Sequence, residues 1–99
     1  MTGLTAEQAT LDALQYVVLH SDVGRRANFG CSDQTLNRIY DVTLRSDLSN
    51  LFYIPTDCPQ REKNGWTADA ALSAEQFLYN FDCGKTLAEW LVNVCKAQR

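Results

Sequence analysis

The chain of 99 residues holds one histidine, His20, and four cysteines, Cys31, Cys58, Cys83 and Cys95, none of them in a C-x-x-C pair. Zinc sites need clustered ligands, so no metal site is expected. A disulfide framework suits a small secreted scaffold, but this chain has 45% apolar residues and enough potential core to do without one. Reduced, partly buried thiols are expected instead. The net charge is −3, so there is no excess of positive charge to attract nucleic acid or an anionic membrane. No apolar run approaches the roughly 20 residues that span a bilayer. The first residues, Met1-Thr2-Gly3-Leu4, lack the basic stretch and apolar core of a signal peptide, which says nothing of where a longer parent protein resides. There are only two prolines, Pro55 and Pro59, and both fall in one short stretch.

What is present reads as a mainly helical chain. The first segment is ambiguous. Thr5-Ala6-Glu7-Gln8 has the form of a capping box, and Leu11, Leu14 and Val18 share helical spacing. Tyr16-Val17-Val18-Leu19, however, is aromatic and β-branched. We expect a loop or short turn to about Ala13, a strand from about Leu14 to His20, and a turn at Gly24. Ser32 can cap a helix over about Asp33–Ser49, with Leu36, Ile39, Tyr40, Thr43, Leu44 and Leu48 along one stripe. Pro55 and Pro59 exclude a regular helix from Ile54 to Gln60. Thr67 can cap a helix over Ala68–Tyr79, and Asp82 one over Gly84–Ala97 with a stripe of Leu87, Trp90, Leu91, Val94 and Cys95. The link Asn80-Phe81-Asp82 is short enough for these two helices to pack as an antiparallel hairpin.

This leaves a long irregular loop from about Asn50 to Trp66. Loops of that length tend to be functional or disordered, and one rich in Pro, Trp, Cys and both charges is unlike a flexible linker. Asp57, Arg61, Glu62, Lys63, Trp66 and Asp69 crowd into it and the helix that follows. The bland alternative is a charged surface loop with a core Trp66 and an Asp69 that favours a helix start. With Thr67 as N-cap, Asp69 stands at the second helical position, where free N–H groups and the helix dipole favour its ionised form. A permanent anion there would raise the pKa of a nearby Glu62, and such a pair suits a proton donor. Arg61 and Lys63 oppose this, although in a locally extended loop they point away from Glu62.

The run Ile54-Pro55-Thr56-Asp57-Cys58-Pro59-Gln60-Arg61-Glu62-Lys63-Asn64-Gly65-Trp66-Thr67-Ala68-Asp69-Ala70 closely resembles the signature of bacterial α-L-rhamnosidases, glycoside hydrolase family 78. His20-Ser21-Asp22, Phe29-Gly30-Cys31-Ser32, Leu36-Asn37, Ser49-Asn50-Leu51-Phe52 and Leu78-Tyr79-Asn80-Phe81-Asp82 extend the likeness over about residues 14 to 99. Ala68 departs from it, since the family often has Gly between Thr and Asp; an alanine in a first helical turn is harmless.

The resemblance implies a mainly α chain: an N-terminal strand or loop, then about three helices forming the first part of an (α/α)6 barrel. Residues 1–31 would be strand and linker at the end of a preceding β-domain, and 32–99 the start of the catalytic domain. It implies inverting hydrolysis of terminal α-L-rhamnosyl residues, with Glu62 as general acid. Asp57 and Asp69 would bind the sugar hydroxyls, Arg61 would organise the acid loop, and Trp66 would line the sugar pocket against the methyl and C–H face of a 6-deoxy sugar. No cofactor is implied, and the expected partner is a rhamnose-containing glycoside or polysaccharide, with no nucleic acid and no membrane. The general base that inversion requires has no match here. The chain alone is therefore expected to be inactive, to need the remainder of the enzyme, and to self-associate through unpartnered helix faces. The alternative is a non-catalytic rhamnose-binding module or helical interaction module derived from such an enzyme. A related hydrolase of another sugar is a further reading.

Overall fold

The structure is a computed structural model that describes Gly3 and residues 5–98. It consists of a short 3-10 turn at Leu11–Ala13, helix α1 (Gln34–Asn50), a minimal antiparallel ladder of β1 (Leu51–Phe52) and β2 (Ile54–Pro55), helix α2 (Thr67–Asn80) and helix α3 (Gly84–Ala97). No helix among the described residues is long and apolar enough to cross a membrane. The mainly helical expectation holds, and the three helices lie within two residues of their expected bounds.

Their caps differ in detail. Asp33, not Ser32, caps α1, its Oδ1 accepting from the N–H groups of Thr35 at 2.7 Å and Leu36 at 3.3 Å. A carboxylate at this position also complements the positive end of the helix dipole. Trp66 rather than Thr67 stands at the N-cap of α2, which makes Asp69 the third helical residue; it remains in the first turn. Cys83 rather than Asp82 precedes α3.

The strand expected over Leu14–His20 is not formed: the segment has no regular structure and joins no ladder with β1 or β2. Half of the capping box upstream is realised: Thr5 N–H donates to Gln8 Oε1 at 3.0 Å. Only a turn follows it. The arm then passes the ladder, leaving an apolar groove of about 700 Å³ bordered by Tyr16, Val17, Leu19, Phe52 and Tyr53. It is anchored by Ser21, whose N–H donates to the Leu51 carbonyl at 2.7 Å and whose hydroxyl accepts from Tyr53 N–H at 2.9 Å. Tyr53 is the apex of the ladder at φ 72°, a left-handed conformation that bulky residues seldom adopt.

The core is small: Leu44, Leu51, Phe77, Phe81, Cys83 and Leu87, with Val23, Tyr40 and Leu48 packed against it. Two of its members, Phe81 and Cys83, belong to the link between α2 and α3. The link is thus core rather than surface. It is pinned from outside by Asp82 N–H to Gly24 O at 2.7 Å and Arg26 N–H to Asn80 O at 2.8 Å. This changes the hairpin expected of α2 and α3: the main packing partner of α3 is β2, and α2 leans on α1. The radius of gyration is 17.6 Å, against about 13 Å for a compact domain of this length. Large apolar side chains stay exposed on every helix, among them Ile39 and Val42 on α1, Leu72 and Tyr79 on α2, and Leu91 and Val92 on α3. All four cysteines are unpaired; Cys83 is buried, Cys58 half-buried, and Cys31 and Cys95 exposed.

A polar seam joins α1 to α2. Tyr40 Oη lies 2.7 Å from Asn80 Oδ1, Asn80 Nδ2 donates to Gln76 O at 2.9 Å, and Gln76 Nε2 donates to Asp47 Oδ2 at 2.8 Å. Burial pushes the Asp47 carboxyl up, and the Gln76 bond only partly offsets this. An acid raised in the folded state keeps a proton that the unfolded chain releases. Its cost is therefore absent below the unfolded value of 3.8 and grows as pH rises through the folded value. Asp47→Asn retains an acceptor for Gln76 and removes the charge. Urea unfolding should show the variant matching the parent near about pH 3 and exceeding it near about pH 7. An offset that stays constant across that range would exclude this account.

Candidate active-site loop

Pro55 and Pro59 keep the chain out of helix after β2, and backbone and side-chain hydrogen bonds close the segment into a compact loop. Asp57 and Asn64 form its neck: Asp57 N–H donates to Asn64 O at 3.0 Å, and Asn64 N–H donates to Asp57 Oδ1 at 3.0 Å. Inside it, Lys63 N–H donates to Cys58 O at 3.2 Å, a reversal that Lys63 makes at φ 55°. Pro59–Glu62 is a turn. The Cys58 thiol sits within the loop, 3.1 Å from Asp57 Oδ2 as donor and 3.1 Å from the Glu62 N–H as acceptor.

The loop leans on the rest of the chain at Gly65. A Cβ there would lie 2.9 Å from Ile54 Cδ1 and 3.2 Å from Trp90 Nε1. The lack of a side chain lets the loop approach β2 and α3 without displacing Ile54 or the Trp90 ring.

The expected site residues fall into two groups. Glu62, Arg61 and Trp66 form one, on the loop surface. Glu62 Oε1 pairs with Arg61 Nη2 at 2.9 Å, and Glu62 Oε2 accepts from Trp66 Nε1 at 3.3 Å. An extended loop would point Arg61 away from Glu62; residues 59–62 turn instead, and the two side chains meet. The pair is open to water, with Arg61 79% and Glu62 38% exposed, so it contributes little stability. Asp57 and Asp69 form the second group, on a cleft of about 170 Å³ between α1, the loop and α2. Neither Glu62 nor Trp66 lines that cleft.

Burial pushes the Asp57 carboxyl up, but hydrogen bonds from the Cys58 thiol and from the N–H groups of Asn64, Cys58 and Asp57 itself outweigh it and hold it below the usual carboxylate range. Asp57 is thus an acceptor, suited to holding hydroxyl groups.

Ser46, Asp47, Asn50 and Ser73 also border the cleft, and none was singled out from sequence. Asp47 had a readable signal. It lies three residues after Leu44 and four after Thr43, an acid on the apolar stripe of α1. Among the described residues no group of three or more side chains is arranged to hold a metal ion.

The model of the bacterial α-L-rhamnosidase six-hairpin glycosidase domain matches residues 24–99. The chain belongs to this family. An α-L-rhamnosidase of Formosa agariphila is 37% identical over 71 residues, covering 72% of this chain and 8% of that protein. An α-L-rhamnosidase of Streptomyces avermitilis is 29% identical over 99 residues, covering 99% of this chain and 10% of its own length. Among solved structures, the α-L-rhamnosidase from Dictyoglumus thermophilum superposes with a TM-score of 0.78 at 41% identity, over 81% of this chain and 9% of that one. The chain therefore spans about a tenth of the length of the relatives it matches.

Proposed function

We propose that this chain is the acid-bearing part of an inverting α-L-rhamnosidase that acts on terminal α-L-rhamnosyl residues of glycosides or polysaccharides. Residues 32–99 are the start of its (α/α)6 catalytic domain, and residues 1–31 the end of a preceding β-domain. Glu62 protonates the glycosidic oxygen. Asp57 and Asp69, facing one cleft, accept hydrogen bonds from the rhamnose hydroxyls. Arg61 orients the acid, and Trp66 holds its second oxygen while presenting a 54% exposed ring to the sugar. The observation that carries the reading is that Glu62, partly open to water, stands on a loop whose neck is the Asp57 carboxylate, inside the stretch that matches the rhamnosidase domain. One short loop thereby couples a directed proton donor to a sugar-binding anion.

The experiment is hydrolysis of an α-L-rhamnoside by the full-length protein, followed by proton NMR. Inversion releases β-L-rhamnopyranose first, with the α anomer appearing later by mutarotation. Initial release of the α anomer would overturn the mechanism, and no release of rhamnose would overturn the substrate.

A further inference from the structure

We propose that the Cys58 thiol is a positioning residue that sets the general acid and the sugar-binding carboxylate in register. The inference rests on the roles proposed for Glu62 and Asp57. Cys58 Sγ lies 3.1 Å from Asp57 Oδ2 and 3.1 Å from the Glu62 backbone nitrogen. One side chain thus donates to the group proposed to bind the sugar and accepts from the residue proposed to protonate the leaving group. The two partners are five residues apart in sequence, and the Asp57–Asn64 bonds at the neck do not reach Glu62. The thiol supplies that missing tie, together with the Lys63 N–H to Cys58 O bond beside it.

The other cysteines make no such contact. Cys83 is in the core, Cys31 Sγ meets the Asp33 carbonyl at 3.4 Å, and Cys95 is exposed. Cys58 is half-buried and stands outside the core cluster, so packing alone does not account for it.

The chemistry of sulfur suits the task. An S–H group is a weak donor and sulfur a weak acceptor. It can steer Asp57 Oδ2 without claiming it, leaving lone pairs for a hydroxyl of the substrate. The covalent Cβ–Sγ bond is longer than the Cβ–Oγ bond of serine, so one sulfur atom spans two partners that a serine oxygen would reach less well.

The test is steady-state kinetics of the full-length protein on two probes, methyl α-L-rhamnoside and 2,4-dinitrophenyl α-L-rhamnoside. The first leaving group needs a proton and the second does not. Cys58→Ala should raise KM severalfold on both, through Asp57. It should lower kcat on the methyl glycoside alone, by about ten- to a hundredfold, through misplacement of Glu62. Cys58→Ser should show the same selectivity at a smaller size, about threefold. An unchanged kcat on the methyl glycoside, an equal loss on both probes, or a serine variant no better than alanine would overturn the proposal. If Cys58→Ala does not fold, Cys58→Ser carries the test, and unaltered kinetics in it would overturn the proposal. Glu62→Gln is the control. Absence of leaving-group selectivity in that variant would sink the acid assignment itself, whereas selectivity there and none in the Cys58 variants would sink only the positioning role.

Discussion

Glu62→Gln in the full-length protein is expected to lower kcat/KM for methyl α-L-rhamnoside by about 10²- to 10⁴-fold, while 2,4-dinitrophenyl α-L-rhamnoside is cleaved at nearly the parent rate. The substitution is chosen for its geometry. A glutamine oxygen still accepts from Arg61 Nη2 or Trp66 Nε1, the two donors that hold the carboxylate at 2.9 Å and 3.3 Å. What is lost is the transferable proton. An alkoxide is too basic to leave without one, so the transition state on the methyl glycoside loses its stabilisation. A dinitrophenolate leaves unaided, and its transition state asks nothing of Glu62. The ratio between substrates therefore reports protonation and not general damage to the loop. Equal losses on the two would mean that Glu62 binds or shapes the site instead of donating.

The parts of this arrangement legible in the sequence were those set by local rules. The proline pair marked the loop, and the apolar stripes placed α2 and α3 to within one residue at either end. The motif placed the whole run from Ile54 to Ala70 in its family. Elsewhere local rules failed for identifiable reasons. Leu14–His20 has strand composition, but a strand exists only when paired, and the segment joins no ladder with β1 or β2. The α2–α3 link has the length of a surface turn, yet Phe81 and Cys83 turn inward because residues 24–26 bind the backbone from outside. Whether the loop runs extended past Glu62 is open in the sequence; the Cys58 carbonyl and thiol fold residues 59–63 back on themselves. Cys58 was legible as a free thiol and as one position of the motif, without a role of its own. Its two-sided contact is a tertiary fact with no periodicity to announce it. The cleft-lining Asp47 was visible as an acid on an apolar stripe, and its meaning depended on α2 arriving opposite with Gln76.

The isolated chain of 99 residues is expected to release phenolate from an aryl α-L-rhamnoside at less than about a thousandth of the full-length rate. Inversion needs a second carboxylate on the far side of the sugar ring, about 6.5–9.5 Å from the acid, with room for water between. The glutamates other than Glu62 do not meet that need. Glu7 lies in the exposed N-terminal turn, Glu75 accepts from the Tyr79 hydroxyl at 3.2 Å on the outer face of α2, and Glu89 is exposed on α3. None of them borders the cleft that Asp57 and Asp69 share. Asp47 does border it, and is the strongest rival. Its carboxyl is tied to Gln76 on the wall between α1 and α2 that also carries the proposed sugar-binding groups. A base must face the sugar from the opposite side. Turnover by the isolated chain that is abolished by Asp47→Asn would show that this wall carries the base after all. Asp47→Asn in the full-length protein separates the two cases independently: a loss of several orders of magnitude in kcat would identify Asp47 as the base, whereas a change confined to KM and stability places it beside the sugar.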